Sequence, residues 1–337
     1  MPDLYPLARK ALFQFDAETA HHLTLGGMKT AHRLGLLEAL VGKAPEGKVV
    51  RVMGLDFPNP VGLAAGMDKT ASAVGAFGAL GFGHVEVGTV TPRPQPGNAK
   101  PRLFRLIEHE AIINRMGFNN PGVEAVMENL AVSRKGYRGI VGINIGKNFD
   151  TPNENALDDY LKAYRAVYTA ADYIAVNISS PNTKGLRDLQ AASQMRDLIR
   201  AIQDERALHS DAQPPIALKI APDLEDEHIA GLAEVFNETG IDAVIATNTT
   251  IDRDAVKSHP RAEEAGGLSG APVRSPSTHV IRELRNTLHA EIPIIGVGGI
   301  SCAEDAREKL DAGAALVQIY TGLVYRGAAL VHDVAAL

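Results

Sequence analysis

The sequence predicts an α/β barrel of eight strand–helix units, and three observations carry that prediction. Eight short β-rich runs recur through the body of the chain, segments with helical spacing lie between them, and polar residues collect at the C-terminal ends of the runs. Near-continuous apolar runs suit parallel strands buried on both faces. In a (β/α)8 TIM barrel the active site is built at those C-terminal ends.

In chain order the runs are VGLAAG (61 to 66), HVEVGTV (84 to 90), VGINIG (141 to 146), YIAVNIS (173 to 179), PIALKIA (215 to 221), AVIATNT (243 to 249), IPIIGVG (292 to 298) and ALVQIYT (315 to 321). Between them, segments such as 156 to 170 and 225 to 239 repeat apolar residues at three and four positions, the spacing of an amphipathic helix. A doubly wound open sheet is the structural alternative, but its dinucleotide fingerprint is missing. The nearest candidate, Gly296-Val297-Gly298-Gly299-Ile300-Ser301, lacks the third glycine of GxGxxG. Gly142-Ile143-Asn144-Ile145-Gly146-Lys147-Asn148 is one residue short for a P-loop and ends in Asn.

The stretch Lys100 to Phe118 interrupts the alternation after the second run. Its LFRLI and AII segments predict an inserted β-hairpin over the barrel mouth. Residues 1 to 43 stand apart as an N-terminal helical extension, with 44 to 337 as the barrel domain. Leu4, Leu7, Ala8, Ala11, Leu12 and Phe15 predict a short amphipathic helix, and Asp16 can cap a second one running to about Gly35. Five Lys or Arg against four Asp or Glu give the extension a charge of +1, leaving −7 on the rest. Such a helix pair can either pack on the barrel or lie on an anionic bilayer.

With 45% hydrophobic and 22% charged residues, the 337-residue chain can bury a large core. A net charge of −6 and the lack of a basic stripe argue against nucleic-acid binding. One cysteine, Cys302, excludes an internal disulfide, a Cys-rich zinc site and a self-contained iron–sulfur cluster. It predicts an intracellular protein, and Cys302 itself reads as a small buried structural residue. The first residues lack the apolar core of a secretory signal and no run is long enough to span a bilayer, so membrane association is expected to be peripheral.

Three turns fall at the ends of the last three runs: Gly266 to Gly270, Gly296 to Ile300, and Tyr320-Thr321-Gly322. Glycines let backbone N–H groups approach an anion, and a helix starting at Ser301 adds its positive end. Barrel phosphate sites commonly lie here. A sugar phosphate and FMN both fit. Lys219, ending the fifth run, favours the flavin, because a fixed cation near N1 and O2 stabilises the anionic reduced ring. Asn144 and Asn177 add amides suited to its polar edge. Asn114, Asn177, Asn182 and Asn248, with Lys69, form a second set. Asparagine offers both donor and acceptor, matching a pyrimidine-dione, while Lys69 and the N–H groups of the turn from Arg115 to Phe118 can hold a carboxylate.

The motifs AAGMDK, EVGTVTPRPQPGNAKPRLFRL, INRMGFNN, GINIGKN, NISSPNT, KIAPD, IATNTT, GGLSG, IIGVGGI and LVQIYTG, covering 61 to 322, resemble in order those of the dihydroorotate dehydrogenases. The resemblance implies FMN and the oxidation of dihydroorotate to orotate in pyrimidine biosynthesis. It further implies FMN contacts from Ala65, Gly66, Met67, Asp68, Lys69, Thr89, Asn144, Asn177, Lys219, Thr247, Gly270, Gly299, Tyr320 and Thr321. Substrate contacts are implied from Lys69, Asn114, Arg115, Met116, Gly117, Phe118, Asn177, Asn182, Asn248 and Thr249. Ser180 stands at the family's base position, to take a proton from C5 while hydride leaves C6. A serine hydroxyl is a weak base, so it needs a proton relay and exclusion of water. Thr183 and Phe118 are the candidates for relay and lid.

The family's soluble class carries cysteine where this chain has Ser180. By resemblance the serine class uses a membrane quinone, rests on the cytoplasmic face of the inner membrane through its N-terminal helices, and is expected here as a monomer. His21 and Arg105 are implied to line the quinone path, whereas His22 and His32 read as surface residues. The rivals are another FMN barrel such as a dihydrouridine synthase, a non-redox phosphosugar isomerase, and a non-catalytic flavin-binding or orotate-binding membrane scaffold. The first would need an RNA-binding surface that the acidic charge does not suggest, and the second a colourless protein.

Overall fold

A computed structural model describes residues 5–183 and 185–337. Its strands are β1 (Val50–Val52), β2 (Leu55–Phe57), β3 (Val61–Leu63), β4 (His84–Val90), β5 (Leu103–Leu106), β6 (Ala111–Asn114), β7 (Ile140–Ile145), β8 (Tyr173–Asn177), β9 (Ile216–Ile220), β10 (Ala243–Ala246), β11 (Gly267–Gly270), β12 (Ile294–Val297) and β13 (Leu316–Ile319). Its helices are α1 (Tyr5–Leu12), α2 (Ala17–Arg33), α3 (Leu37–Val41), α4 (Val74–Ala79), α5 (Val123–Ser133), α6 (Ala156–Val167), α7 (Ala192–Ala207), α8 (Asp226–Thr239), α9 (Arg274–Thr287), α10 (Ala303–Asp311), α11 (Thr321–Arg326) and α12 (Ala328–Ala335).

The eight predicted runs form one closed parallel barrel in the order β3-β4-β7-β8-β9-β10-β12-β13, with β13 pairing back to β3. Every residue of β4, β8, β9, β10, β12 and β13 is buried, as strands covered by both a helix layer and an interior must be. Helix α6 buries Ala156, Tyr160, Ala163, Tyr164 and Val167, a stripe at three- and four-residue spacing, and ends at Val167, three residues earlier than the pattern suggested.

Large residues fill the lower barrel because glycines paired with them on adjacent strands make room. A Cβ at Gly62 would stand 2.0 Å from the His84 ring, and one at Gly142 would stand 2.1 Å from Tyr173. The hairpin β1–β2, which no sequence pattern announced, closes this end with Phe57 edge-on to His84 at 5.2 Å. His84 is fully buried with neither ring nitrogen hydrogen-bonded, and burial lowers its pKa to about 3, so it is a neutral core residue.

The predicted hairpin is β5–β6, but it is one strand larger than expected. The glycine-rich segment read as a turn after the sixth run is β11, which pairs antiparallel with β6 from Gly267↔Asn114 to Gly270↔Ala111. A turn reading missed it because a strand of Gly-Leu-Ser-Gly has almost no apolar alternation to see.

The extension folds as three helices. Asp16 caps α2 by accepting the Thr19 N–H, as expected, and α2 ends at Arg33, with Leu34 as its C-cap. Docking is polar as well as apolar. Arg9 donates to the Tyr325 carbonyl at 2.7 Å, and buried Glu18 on α2 accepts two bonds from Arg102, which follows the barrel's second unit. The helices pack on the barrel and leave Leu7, Phe15, Leu23, Leu34, Leu36 and Leu40 exposed. Among the described residues no helix is long and apolar enough to cross a membrane. His22 is exposed as expected, but His32 is half-buried, its ring beside Gly75.

Candidate active site

The C-terminal ends of the barrel strands, the β5–β6–β11 sheet and the loops after β8 and β10 line one pocket. Nineteen of the residues expected there line it together: Ala65, Gly66, Lys69, Thr89, Asn114, Met116, Gly117, Phe118, Asn177, Ser180, Asn182, Lys219, Thr247, Asn248, Thr249, Gly270, Gly299, Tyr320 and Thr321. They come from chain segments far apart in sequence, which only the barrel closure brings to one rim.

The asparagines hold one another before any ligand does. Asn248 Nδ2 donates to Asn177 Oδ1 at 3.3 Å, Asn177 Nδ2 donates to Thr89 Oγ1 at 3.1 Å, and Asn182 Nδ2 donates to Asn114 Oδ1 at 3.2 Å, tying the mouth hairpin to the Ser180 loop. Ser180 is buried and its Oγ accepts the Asn182 N–H at 3.3 Å. Gln95 Nε2 donates to the carbonyls of Gly117 and Phe118, holding the turn in which Phe118 takes a left-handed φ of 53°. Phe118 thereby lies over the pocket and against Gly146, where a side chain would meet its ring at 3.1 Å.

Lys69 is half-buried and donates to the Gly66 carbonyl at 2.5 Å. Burial, reinforced by Arg102, lowers its pKa to about 8, with Glu18 and Asp68 opposing. It remains a cation at neutral pH. Lys219, 5% exposed, is the pocket's second cation and lies 3.9 Å from Glu86 Oε1.

At the other end, glycine backbone forms a cradle. Side chains at Gly270 and Gly299 are excluded twice, by φ of 96° and 73° and by contacts of 2.2 Å to the Glu110 carbonyl and 2.4 Å to Arg274 Cβ. The N–H groups of Gly298 and Gly299 have no acceptor among the described residues, and Thr321 and Gly322 open the first turn of α11, where N–H groups lack helical partners. Thr321 Oγ1 donates to Ser269 Oγ at 2.9 Å, joining α11 to β11. The expected helix start at Ser301 falls two residues early. Helix α10 begins at Ala303, and Ser301 instead bonds Asp305 through both N and Oγ. Cys302 is half-buried rather than buried, and burial pushes its thiol pKa up.

Several expected contacts lie elsewhere. Arg115 is turned away, since its guanidinium pairs with Glu264 at 2.7 Å over the Phe104 ring and its N–H is taken by the Arg102 carbonyl. The carboxylate-holding turn is thus reduced to Met116, Gly117 and Phe118. Asp68 is fully buried and accepts the N–H groups of Thr70, Ser72 and Ala73, so it shapes the loop that presents Lys69. Asn144 sits beneath the pocket, bonded to Thr89 Oγ1 and Glu86 Oε1. Thr183 is buried outside the lining and makes no hydrogen bond with Ser180.

Met67 faces a second, mainly apolar cavity between the extension and the barrel. His21, Arg105, Leu323, Ala20 and Met28 also line it, and Tyr320 borders both cavities. Burial, with Lys69 and His22 adding to it, lowers His21 to about 3, leaving a neutral imidazole. Arg105 lies over the Phe13 ring at 4.4 Å and donates to the Phe15 and Leu12 carbonyls.

Three residues of the site escaped sequence reasoning. Glu86 and Gln318 lie in β4 and β13, where a charged or amide side chain in a buried strand was the available signal. Arg187 ties the β8 and β10 loops together by donating to the Ser179 and Thr249 carbonyls while pairing with Asp223 at 2.8 Å. Nothing local marks it out.

The donor set fits FMN. A backbone cradle suits the phosphate, Lys219 and Asn177 suit the ring's polar edge, and Gln318 Oε1 and Thr249 Oγ1 are buried pocket-lining atoms without a partner among the described residues. Comparison with known proteins agrees. The family model for dihydroorotate dehydrogenase matches residues 48–336. A Chromobacterium violaceum protein named dihydroorotate dehydrogenase (quinone) is 58% identical over 335 residues, covering 98% of this chain and 96% of its own. Its counterpart from Thiobacillus denitrificans is 58% identical and covers 98% of each chain. Among solved structures, the Eimeria tenella DHODH in complex with ferulenol superposes with a TM-score of 0.87 at 38% identity, over 96% of this chain and 93% of that one. With strand order, pocket and sequence relatives in agreement, this chain belongs to the dihydroorotate dehydrogenase family.

Proposed function

We propose that this chain oxidises dihydroorotate to orotate, with FMN as the carrier and a quinone as final electron acceptor. The observation that carries this reading is the pair of cavities sharing Tyr320. One gathers the asparagines and both lysines and suits a small anionic amide, and the other is mainly apolar and suits a lipophilic molecule. The flavin supplies a two-electron acceptor that a quinone can reoxidise.

The chain's own residues position and deprotonate the substrate. Lys69 and the N–H groups of Met116 to Phe118 hold its carboxylate, and the paired asparagines exchange their mutual bonds for the ring's N–H and C=O groups. Ser180 takes the C5 proton as hydride leaves C6, and Phe118 excludes water. The proton then needs a route that Thr183 provides only if the loop rearranges to bring it to Ser180. His21 and Arg105 face the quinone, and residues 1–43 form its access path. The exposed apolar residues of α1 to α3 support peripheral contact with the inner face of the cell membrane, as a monomer.

Anaerobic titration of the purified protein with dihydroorotate, followed by flavin absorbance, tests the reading. Bleaching, and recovery on adding quinone, is expected. Reoxidation by fumarate or NAD alone would overturn the acceptor assignment.

A further inference from the structure

Glu86 is the hub of the barrel floor. Its carboxylate, 0% exposed, accepts Asn144 Nδ2 through Oε1 at 2.8 Å, and through Oε2 it accepts Tyr173 OH at 2.9 Å and Gln318 Nε2 at 2.8 Å. Those donors are neutral. The one cation near it is Lys219, whose Nζ stands 3.9 Å from Oε1. Lys219 lines the pocket and Glu86 does not. Among the described residues, Glu86 is the only carboxylate paired with Lys219, which makes no hydrogen bond of its own.

Burial disfavours the protonated form of a lysine, and a nearby anion favours it. Burial draws the Lys219 pKa down and Glu86 draws it back up. No other neighbour can replace that charge. His84 is neutral, and burial together with Glu86 holds the Tyr173 phenol far above its ordinary range, so it too is uncharged.

We propose that Glu86 is a positioning residue that holds Lys219 as an ammonium ion against the flavin ring, and so sets how strongly the site prefers reduced over oxidised flavin. The inference rests on the flavin reading above. Glu86 touches neither flavin nor substrate and acts through Lys219. Its second oxygen, anchored from β8 and β13, keeps the first one aimed at β7 and β9.

The test measures the midpoint potential of bound FMN, by anaerobic dye equilibration, in the wild-type protein, Glu86→Gln, Lys219→Met and the double variant. Glu86→Gln is expected to weaken binding of reduced relative to oxidised FMN about tenfold, a drop of about 30 mV for a two-electron couple. Lys219→Met should lower the potential at least as far, and the double variant should match Lys219→Met. An unchanged or raised potential in Glu86→Gln, or a full further drop in the Lys219→Met background, would overturn the proposal. A wild-type protein that binds no FMN would overturn the flavin reading itself, whereas FMN-bearing wild type with an indifferent Glu86→Gln refutes only the inference about Glu86. If Glu86→Gln alone does not fold by circular dichroism, folding of the double variant supports a coupled charge pair. Failure of both refutes it.

Discussion

Glu18→Gln removes the charge that fastens the helical extension to the barrel. Glu18 and Arg102 have side chains only 7% exposed, and the carboxylate accepts Arg102 Nη2 at 2.8 Å and Nε at 3.2 Å, with Lys100 Nζ at 3.3 Å. Two charge-assisted bonds at about 1.5–3 kcal/mol each give about 3–6 kcal/mol. Stranding a buried guanidinium costs about the same. Arg102 keeps its bonds to the Pro96 and Asn98 carbonyls, so the barrel side stays ordered and the loss falls on docking of α2. At about 1.4 kcal/mol per tenfold, the undocked population rises by about two to four powers of ten. When opening is fast, proteolysis reports that population. Tryptic cleavage at Lys29 and Arg33 should accelerate accordingly, and quinone reduction should suffer more than flavin reduction by dihydroorotate. The pH dependence has a fixed sign. Burial raises the Glu18 pKa, but Arg102 and Lys100 prevail and hold it below the ordinary carboxylate value of 4.5. The docking energy is therefore complete above pH 4.5 and is lost as pH falls through the depressed value. Cleavage accelerated less than tenfold by Glu18→Gln would refute the ion pair as the anchor.

Ser180→Ala should slow flavin reduction by dihydroorotate about 10²–10⁴-fold while FMN stays bound, the usual span for a lost general base; rapid-mixing absorbance measures it, and wild-type-like reduction removes Ser180 from the chemistry. If Lys69, with a pKa of about 8, holds the substrate carboxylate as a cation, orotate binding should weaken roughly tenfold for each pH unit above that value. A flat calorimetric profile from pH 7 to 10 would exclude that contact. Gly299→Ala forces a Cβ to 2.4 Å from Arg274 Cβ and 2.5 Å from its backbone. The variant should lose FMN on gel filtration where wild type keeps it, and full retention would displace the phosphate from this cradle.

The barrel was legible because its signals are local. A strand buried on both faces writes itself as an apolar run, and a helix on a barrel as a stripe at three- and four-residue spacing, whatever the rest of the chain does. The eight runs, the two-stranded part of the mouth hairpin and the Asp16 cap all came from such patterns. Residues ending those runs were also legible as a rim, which is why Asn177, Lys219 and Thr247 fell into one pocket. What the runs could not say is which way a side chain at a given rim position turns. Arg115 finds Glu264 and Phe104, Asp68 finds the N–H groups of its own loop, and Met67 looks into the apolar cavity. Barrel register alone joins Glu86 to Gln318, 232 residues later in the chain, and brings Lys219 to 3.9 Å from Glu86. The architecture and the chemical types gathered at the rim follow from the order of residues, because burial acts residue by residue. Which of those groups share charges and hydrogen bonds follows from the folded barrel, because it depends on distances between strands that no local pattern encodes.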